Sequence, residues 1–226
     1  KGGNDPLTCL LRRRADGTGG VDTLLPPRAR AIIEVAMTRD SARFILRYDI
    51  NGSKRDIVLA HRGDTTTTPL MADQGYSEIF PALSPDGRWL AYASNESGRF
   101  EVYVRPFPDV NARRVQVSQS GGREPRWAHS GHELFYRNGA GAFVSASVVP
   151  AASFTLGTQT ILFDAAPFYY GESSRSYDVA PGDQKFVFLQ KALAKKASGA
   201  AAMDKLVEVT NWAAEVRAKL EGKAPR

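Results

Sequence analysis

The sequence predicts an all-β fold built from repeated antiparallel units, on three observations. The turn-forming quartet SPDG at 84–87 runs directly into an alternating apolar stretch, WLAYAS at 89–94. Related turn-and-strand stretches begin at residues 38, 128 and 180, so the steps between the four starts are 46, 44 and 52 residues. Almost no segment follows the helical period. This combination is typical of a β-propeller of four-stranded antiparallel blades, and the chain has the length of four to five such blades.

The quartet at 84–87 has a simple physical basis. Pro85 fixes φ for the second turn position, and Gly87 tolerates the left-handed conformation that closes the turn. Side chains of the strand that follows point alternately to opposite faces. The preceding run IFPAL at 79–83 supplies its partner strand. We therefore interpret the quartet as the hairpin of a blade, which is a structural element and not an active site.

The same reading divides the chain into successive blades. A half blade precedes three complete ones, and a partial blade of three strands follows them. Either the propeller is incomplete or its two ends complete one another. The predicted bounds are about 7–30 for the half blade, 31–72, 76–120 and 122–165 for the complete blades, and 176–210 for the partial blade.

Two segments near the end depart from the strand pattern. Residues 191–204 are rich in Ala and Lys and predict a flexible insertion in the last blade. Residues 211–221 place Trp212, Val216 and Leu220 on one stripe of a short C-terminal helix.

Composition and charge exclude several functions. The net charge is +6, but residues 1–30 carry +3 and residues 191–226 carry +4, so the blades between them are nearly neutral. A nucleic-acid-binding protein needs a basic stripe on the fold itself, and we therefore expect no nucleic acid partner. There is no run of about 18 apolar residues, and we expect no transmembrane segment in this chain. The first residues lack the pattern of a signal peptide, and the single cysteine, Cys9, forms no internal disulfide.

Catalytic and metal-binding motifs are incomplete in this sequence. HRGD at 61–64 lacks the downstream spacing of a kinase catalytic loop, and there is no glycine-rich phosphate loop. His129 and His132 fall in a predicted turn that offers no third metal ligand, and Ser130 between them lacks a nucleophile elbow. We predict no catalytic residue, no metal and no cofactor.

Four carboxylates keep an enzymatic alternative open. Propeller hydrolases use polar groups that line the central channel, and here the innermost strands carry acids near their entries, which we interpret as equivalent positions of the blades. These channel-lining candidates are Glu34, Glu78, Glu124 and Asp178. If they act on a substrate, the protein is an ester or lactone hydrolase; if they bind loop amides, they are structural.

Three stretches resemble a known family. They are SPDGRWLAYASNESGRFEVYVRPFP from Ser84, GGREPRWAHSGHELFYRNG from Gly121, and the ending that begins SYDVAPGDQKFVF and closes with LVEVTNWAAEVRAKL. They resemble the C-terminal part of TolB-like, or WD-like, β-propellers appended to bacterial eukaryotic-type serine/threonine protein kinases. The resemblance covers about residues 7–220. Arg39 and His129 stand where the family prefers proline, and Gly182-Asp183 inverts its Asp-Gly.

The resemblance implies a kinase-associated signalling protein with an extracytoplasmic propeller, periplasmic or at the cell surface. Together with the residues, it predicts a non-enzymatic recognition or scaffolding module that binds a protein or a small-molecule ligand. Arginine and aromatic side chains on loops make contact anchors. The candidate binding residues are Arg105, Phe107, Arg123, Arg126, Trp127, Phe168, Tyr169 and Tyr170. For Trp127, packing between blades is the favoured alternative.

Overall fold

A computed structural model describes residues 7–50, 54–71, 75–149, 151, 153–171, 174–191 and 204–210. These residues form seventeen β-strands. Their bounds are β1 Thr8–Arg12, β2 Asp22–Arg28, β3 Ile32–Met37, β4 Arg43–Ile50, β5 Lys54–His61, β6 Thr68–Met71, β7 Glu78–Leu83, β8 Trp89–Ser94, β9 Glu101–Pro106, β10 Val115–Gln116, β11 Gly122–Trp127, β12 Glu133–Asn138, β13 Ala142–Val149, β14 Thr155–Asp164, β15 Tyr177–Val179, β16 Lys185–Lys191 and β17 Asp204–Thr210.

The strands pair in chain order into five antiparallel sheets. We name them blade A (β1–β2), blade B (β3–β6), blade C (β7–β10), blade D (β11–β14) and blade E (β15–β17). The predicted all-β fold with four-stranded antiparallel blades is confirmed. The predicted C-terminal helix and most of the predicted insertion lie outside the described residues. Within the described ranges, no helix is long and apolar enough to cross a membrane.

Apolar cores between neighbouring blades hold the blades together. The two-residue period of a strand sends successive side chains into different cores. On β4, Leu46 packs with Leu24 of blade A, whereas Ile45 packs with Tyr92 of blade C. On β12, Leu134 joins the core with blade C and Phe135 the core with blade E. The second strands of blades B and D therefore each contribute side chains to the cores shared with both neighbouring blades.

The hairpin at 84–87 forms as its residues predict. The Gly87 amide donates to the Ser84 carbonyl at 2.8 Å, with Gly87 at φ 74°. The Ser84 hydroxyl donates to Asp86 at 2.6 Å. The turn joins β7 to β8, which pair in antiparallel register.

The blades give the propeller two distinct faces. The turns between first and second strands, at 84–88, 128–132 and 180–184, form what we call the hairpin face. The links from one blade to the next, at 117–121 and 165–171, lie on the opposite side with the loops at 95–100 and 139–141, and we call this the connection face. The innermost strands begin at the connection face.

Candidate ligand-binding pocket

In two blades, a glutamate on the innermost strand is paired with an arginine on the second strand. Counted back from the hairpins, Glu34 on β3 and Glu124 on β11 occupy the same position. Each is followed thirteen residues later by an arginine on the second strand, Arg47 or Arg137. Blades C and E have no such pair, since their corresponding residues are Phe80 with Ala93 and Ser176 with Leu189.

Both glutamates also bind the next blade. Glu34 Oε2 accepts a hydrogen bond from the Phe80 amide at 3.0 Å. Glu124 Oε1 accepts from the Ser176 amide and from the Ser176 hydroxyl, each at 2.7 Å. Phe80 and Ser176 occupy, in blades C and E, the position that the glutamate occupies in the preceding blade. The repeated contact therefore links consecutive innermost strands.

In blade B this pair is enclosed by further charges. Arg47 Nε lies 3.3 Å from Glu34 Oε2 and 3.5 Å from Asp49 Oδ1, and the Arg47 side chain has no exposed surface. Arg175, which precedes β15, lies 3.2 Å from Glu34 Oε1 and donates to the Pro81 carbonyl at 2.7 Å. The blade B pair is thus part of a closed network that joins blades B, C and E.

In blade D the same pair borders an open pocket. Arg137 Nε lies 3.5 Å from Glu124 Oε2, but Nη2 of Arg137 has no hydrogen-bond partner among the described residues. Arg137 is 3% exposed and lines a pocket of about 610 Å³ on the connection face. The other side chains that shape this pocket include Arg99, Phe100, Arg123 and Tyr170.

Close backbone contacts of glycines build the floor of the pocket. A Cβ placed on Gly139 would lie 2.2 Å from the Ser120 carbonyl oxygen. Gly121 has φ +89°, and a Cβ there would lie 2.8 Å from the Gly139 Cα. The Gly139 amide donates to the Gly121 carbonyl at 3.1 Å. Only glycine fits these two positions without moving the backbone.

Glu101 anchors that floor from beneath. Its buried carboxylate accepts hydrogen bonds from the Ser118 hydroxyl, the Gly121 amide at 2.9 Å and Arg99 Nε at 2.7 Å. Burial alone would raise the pKa of Glu101, but these three hydrogen bonds outweigh it, and the pKa is lowered. Glu101 is therefore ionised and holds Arg99 at the pocket rim.

Aromatic rings position the guanidinium of Arg123. Its Cζ lies 3.9 Å from the centre of the Phe100 ring and 5.7 Å from that of Tyr170. Arg137 is also 5.7 Å from the Tyr170 ring. Stacking on ring faces fixes a guanidinium while leaving its N–H edge available for an acceptor. The pocket therefore presents two arginines with defined orientations.

Burial makes the Glu124–Arg137 pair electrostatically costly. It raises the pKa of Glu124, and hydrogen bonds from Ser176 and the charge of Arg137 offset only part of this. Burial likewise lowers the pKa of Arg137, which Glu124 partly counteracts. Both shifts oppose the charged forms, as expected for two ions withdrawn from water. Such perturbed groups beside a cavity are typical of functional sites.

The structure brings together only two of the eight predicted binding residues, Arg123 and Tyr170. Phe168 stacks on Phe188 with ring centres 4.6 Å apart, in the core between blades D and E. Tyr169 is half-buried, and its amide donates to the Leu189 carbonyl at 2.7 Å. The predicted loop surface is therefore divided between core and pocket.

The other four candidates lie toward the hairpin face. Arg105 donates to the Tyr92 hydroxyl at 2.7 Å, and Phe107 is buried under Arg43. Trp127 is buried between blades C and D, where its Nε1 donates to the Ala82 carbonyl at 3.0 Å. Arg126 pairs with Asp178 at 2.6 Å. Phe107 and Trp127 thus serve in blade packing; binding by any of the eight residues stays a prediction.

The four predicted carboxylates occupy different environments. Glu34, Glu78 and Glu124 are buried, whereas Asp178 is exposed. Their positions are equivalent only for Glu34 and Glu124, because Glu78 lies two residues earlier in its strand and Asp178 two residues later. The four acids were treated as equivalent because each lies near the start of an innermost strand, without counting its distance from the hairpin. Their role as channel-lining residues stays a prediction.

The sequence reasoning missed Arg99, Phe100 and Arg137. A usable signal existed, since the thirteen-residue spacing from Glu to Arg recurs in the same phase of two blades. Arg99 and Phe100 come from a different blade, and only the packed blades bring them to Arg137. Among the described residues, no group of three or more His, Cys, Asp or Glu side chains could hold a metal ion. His129 Nδ1 instead lies 2.8 Å from Asp183 Oδ1.

Blades of four antiparallel strands, joined from outermost to innermost strand, define the protein as a β-propeller. No protein-family model matches the chain. A protein assigned as TolB from Agrobacterium tumefaciens is similar, with 13% identity and a TM-score of 0.62 over 92% of this chain and 71% of its own. TolB from Acinetobacter baumannii has 14% identity and a TM-score of 0.57, over 85% of this chain and 44% of its own.

An oligogalacturonate lyase in complex with manganese is a third similar structure. It has 14% identity and a TM-score of 0.60, over 92% of this chain and 55% of its own. This chain thus spans about half the length of the lyase and of the Acinetobacter protein. The comparisons give the chain a TolB-like propeller fold. Because both TolB proteins and a lyase share it, the fold does not decide between binding and catalysis.

Proposed function

We propose that the protein is a non-enzymatic recognition module that binds a small ligand in the pocket of the connection face. One observation carries the proposal: the nearly buried Arg137 borders an open pocket of about 610 Å³ and keeps donor capacity unused by the described residues. Pockets of about 300 to 1,000 Å³ with a few convergent polar groups are typical of small-molecule sites.

The resemblance of the sequence to kinase-appended propellers supports a wider context. In that context the module is the sensory part of a larger bacterial signalling protein, and ligand binding at the connection face is the event it reports. A protein partner that binds the same face is compatible with this role. This context is part of the proposal and rests on the resemblance alone.

A fragment screen tests the pocket directly. Saturation-transfer NMR would measure binding of a mixed library of neutral and charged fragments to the protein. Ala166 is exposed at the pocket, and Ala166→Trp should block it whatever the ligand's charge. Ala151→Trp is the matched control on the hairpin face. We expect fragments that bind the protein and the control but not Ala166→Trp; no bound fragment, or binding that survives the block, contradicts the proposal.

An ester or lactone hydrolase is the second candidate function. The observation that favours it is the raised pKa of Glu124, since a carboxyl that keeps its proton to higher pH than usual is better suited to act as an acid. Two observations argue against it: Glu124 is fully buried, and its Oε1 accepts a hydrogen bond from the Ser176 amide. Turnover of ester or lactone substrates that is lost in Glu124→Gln would establish the hydrolase. A flat panel, with and without divalent metals, would leave recognition as the function.

A further inference from the structure

We infer that the pocket takes a small molecule with a carboxylate or phosphate group beside a flat ring. This inference rests on the proposed function and adds the chemical class of the ligand. It follows from three features of the pocket: an arginine charge without a carboxylate partner among the described residues, a second carboxylate that blade B has and blade D lacks, and exposed aromatic surface beside a stacked guanidinium.

The pocket has more positive than negative charge. Three arginines line it, Arg99, Arg123 and Arg137. Glu101 pairs with Arg99 at 2.7 Å and Glu124 pairs with Arg137 at 3.5 Å. In the described part of the chain, no carboxylate forms an ion pair with Arg123. Among the described residues, one arginine charge therefore has no carboxylate partner, and an anionic ligand would neutralise it.

The comparison with blade B identifies what Arg137 lacks. Arg47, its counterpart, has a second carboxylate 3.5 Å away, that of Asp49. Asp49 stands two residues after Arg47, and the residue two positions after Arg137 is Gly139, which has no side chain and lines the pocket. The second carboxylate that blade B carries beside its arginine is therefore absent from this position of blade D. A ligand anion at the pocket floor would take the role of the Asp49 carboxylate.

The buried Nη2 donor of Arg137 gives an energetic reason for an anion to bind beside it. Its Nη2 is buried without a hydrogen-bond partner among the described residues. Buried donors without partners are rare in folded proteins because their desolvation is not repaid. The oxygens of a carboxylate or phosphate are charge-assisted acceptors that a planar guanidinium can bind in pairs. An amide or hydroxyl oxygen of a neutral ligand would leave the charge uncompensated.

The walls of the pocket favour a flat ring next to the anion. Tyr170 is 42% exposed, and its ring lies 5.7 Å from both Arg123 and Arg137. Phe100 covers one side of the Arg123 guanidinium at 3.9 Å. A planar group can stack on the exposed Tyr170 ring while its anionic substituent reaches the two arginines. The volume accommodates a ligand of this size.

Matched probes test the class of ligand by isothermal titration calorimetry. Phenyl phosphate and benzoate carry an anion beside a ring, phenol and benzamide are their neutral counterparts, and inorganic phosphate lacks the ring. We expect each anionic ring probe to bind at least tenfold more tightly than its neutral counterpart and than inorganic phosphate. Equal affinity of the neutral probes overturns the anionic class, and equal affinity of inorganic phosphate overturns the ring.

Variants locate the binding. Arg123→Met and the charge-neutral double variant Glu124→Gln with Arg137→Met should each weaken phenyl phosphate binding at least tenfold. Arg88→Met is the matched control, since Arg88 also lies over an aromatic ring, Trp89 at 5.9 Å, but on the hairpin face. The double variant avoids a lone buried carboxylate, and Arg123→Met keeps the test valid if the double variant unfolds. Unchanged affinity in Arg123→Met overturns the inference.

The two proposals fail in different ways. If neutral fragments bind in a manner that Ala166→Trp blocks, while neither anionic ring probe binds, the pocket is a ligand site of another class and only this inference fails. If neither fragments nor anionic probes bind, both proposals fail. Binding of phenyl phosphate that survives Ala166→Trp also overturns this inference, because the anion then binds elsewhere.

Discussion

Blades B and D contain the same glutamate–arginine pair in different surroundings. In blade B, Arg47 has two carboxylates within 3.5 Å and no exposed surface. In blade D, Arg137 has one carboxylate partner among the described residues and borders an open pocket. The difference indicates that the repeated pair becomes a candidate binding site where Gly139 replaces the second carboxylate and an open pocket leaves space for a ligand.

The largest expected effect lies in the closed pair. Glu34→Gln removes the charge that faces both Arg47 and Arg175, so we expect the free energy of unfolding to fall by about 3–5 kcal/mol, the usual cost of breaking a buried ion pair. Glu124→Gln should cost less, because water in the pocket can reach Arg137. Urea unfolding of both variants measures the difference. A larger loss in Glu124→Gln would refute the distinction between the closed and the open pair.

The pocket floor is the next test of the comparison. Gly139→Ala forces a Cβ against the Ser120 carbonyl, and we expect a loss of about 1–3 kcal/mol from overpacking. Gly20→Ala is the control, because a Cβ there meets nothing within 4 Å and its φ is not in the left-handed region. Thermal unfolding of the two variants is the measurement. Equal stability of Gly139→Ala and the parent protein would show that the floor is not closely packed.

The two glutamates near the pocket should respond to pH with opposite signs. The folded-state pKa of Glu101 is lowered, so its stabilisation is present above the unfolded pKa and is lost as the pH falls. The folded-state pKa of Glu124 is raised, so its stabilisation is present at acid pH and is lost as the pH rises through that pKa.

Glu101→Gln and Glu124→Gln separate the two contributions. The stability of the parent protein relative to Glu101→Gln should decrease on acidification, and that relative to Glu124→Gln should decrease as the pH rises from acid values through the raised pKa of Glu124. Urea unfolding at a series of pH values measures both. Parallel slopes for the two variants would contradict the assigned directions.

The smallest effect on stability is expected at Tyr170. Because this side chain is 42% exposed, Tyr170→Ala should change the free energy of unfolding by less than about 0.5 kcal/mol, while weakening phenyl phosphate binding. Tyr76→Ala, another exposed tyrosine outside the pocket, should leave both properties unchanged. Thermal unfolding and calorimetry on the same samples make the comparison. A large drop in the melting temperature of Tyr170→Ala would show that the Tyr170 ring stabilises the fold by packing, contrary to this prediction.

The sequence predicted the strands well because their signal is local. Turn chemistry at 84–87 and side-chain alternation at 89–94 depend on neighbouring residues alone, and β7 and β8 pair across that turn. The candidate site depends on contacts between blades. Arg99 and Arg137 are 38 positions apart in the sequence, and only blade packing brings both to one pocket.

The sequence predictions were wrong about residues whose environment depends on the exact strand position or on packing between blades. Glu78 lies six residues before the start of its hairpin and Glu34 four before its own, so the two acids do not occupy the same position. Trp127 and Phe107 have the residue types of contact anchors, but large aromatic side chains also fill cores between blades, and the sequence alone does not distinguish these uses.

The bond between Arg175 and Glu34 has a consequence for the order in which the protein folds. Its two residues are 141 positions apart, so Glu34 and Arg47 emerge during synthesis long before Arg175 does. Loops of this length close late and slow the folding of β-rich chains. Glu34 therefore gains its second arginine partner, Arg175, only when blade E is in place, and we expect that contact to form after the transition state for folding of the blades themselves.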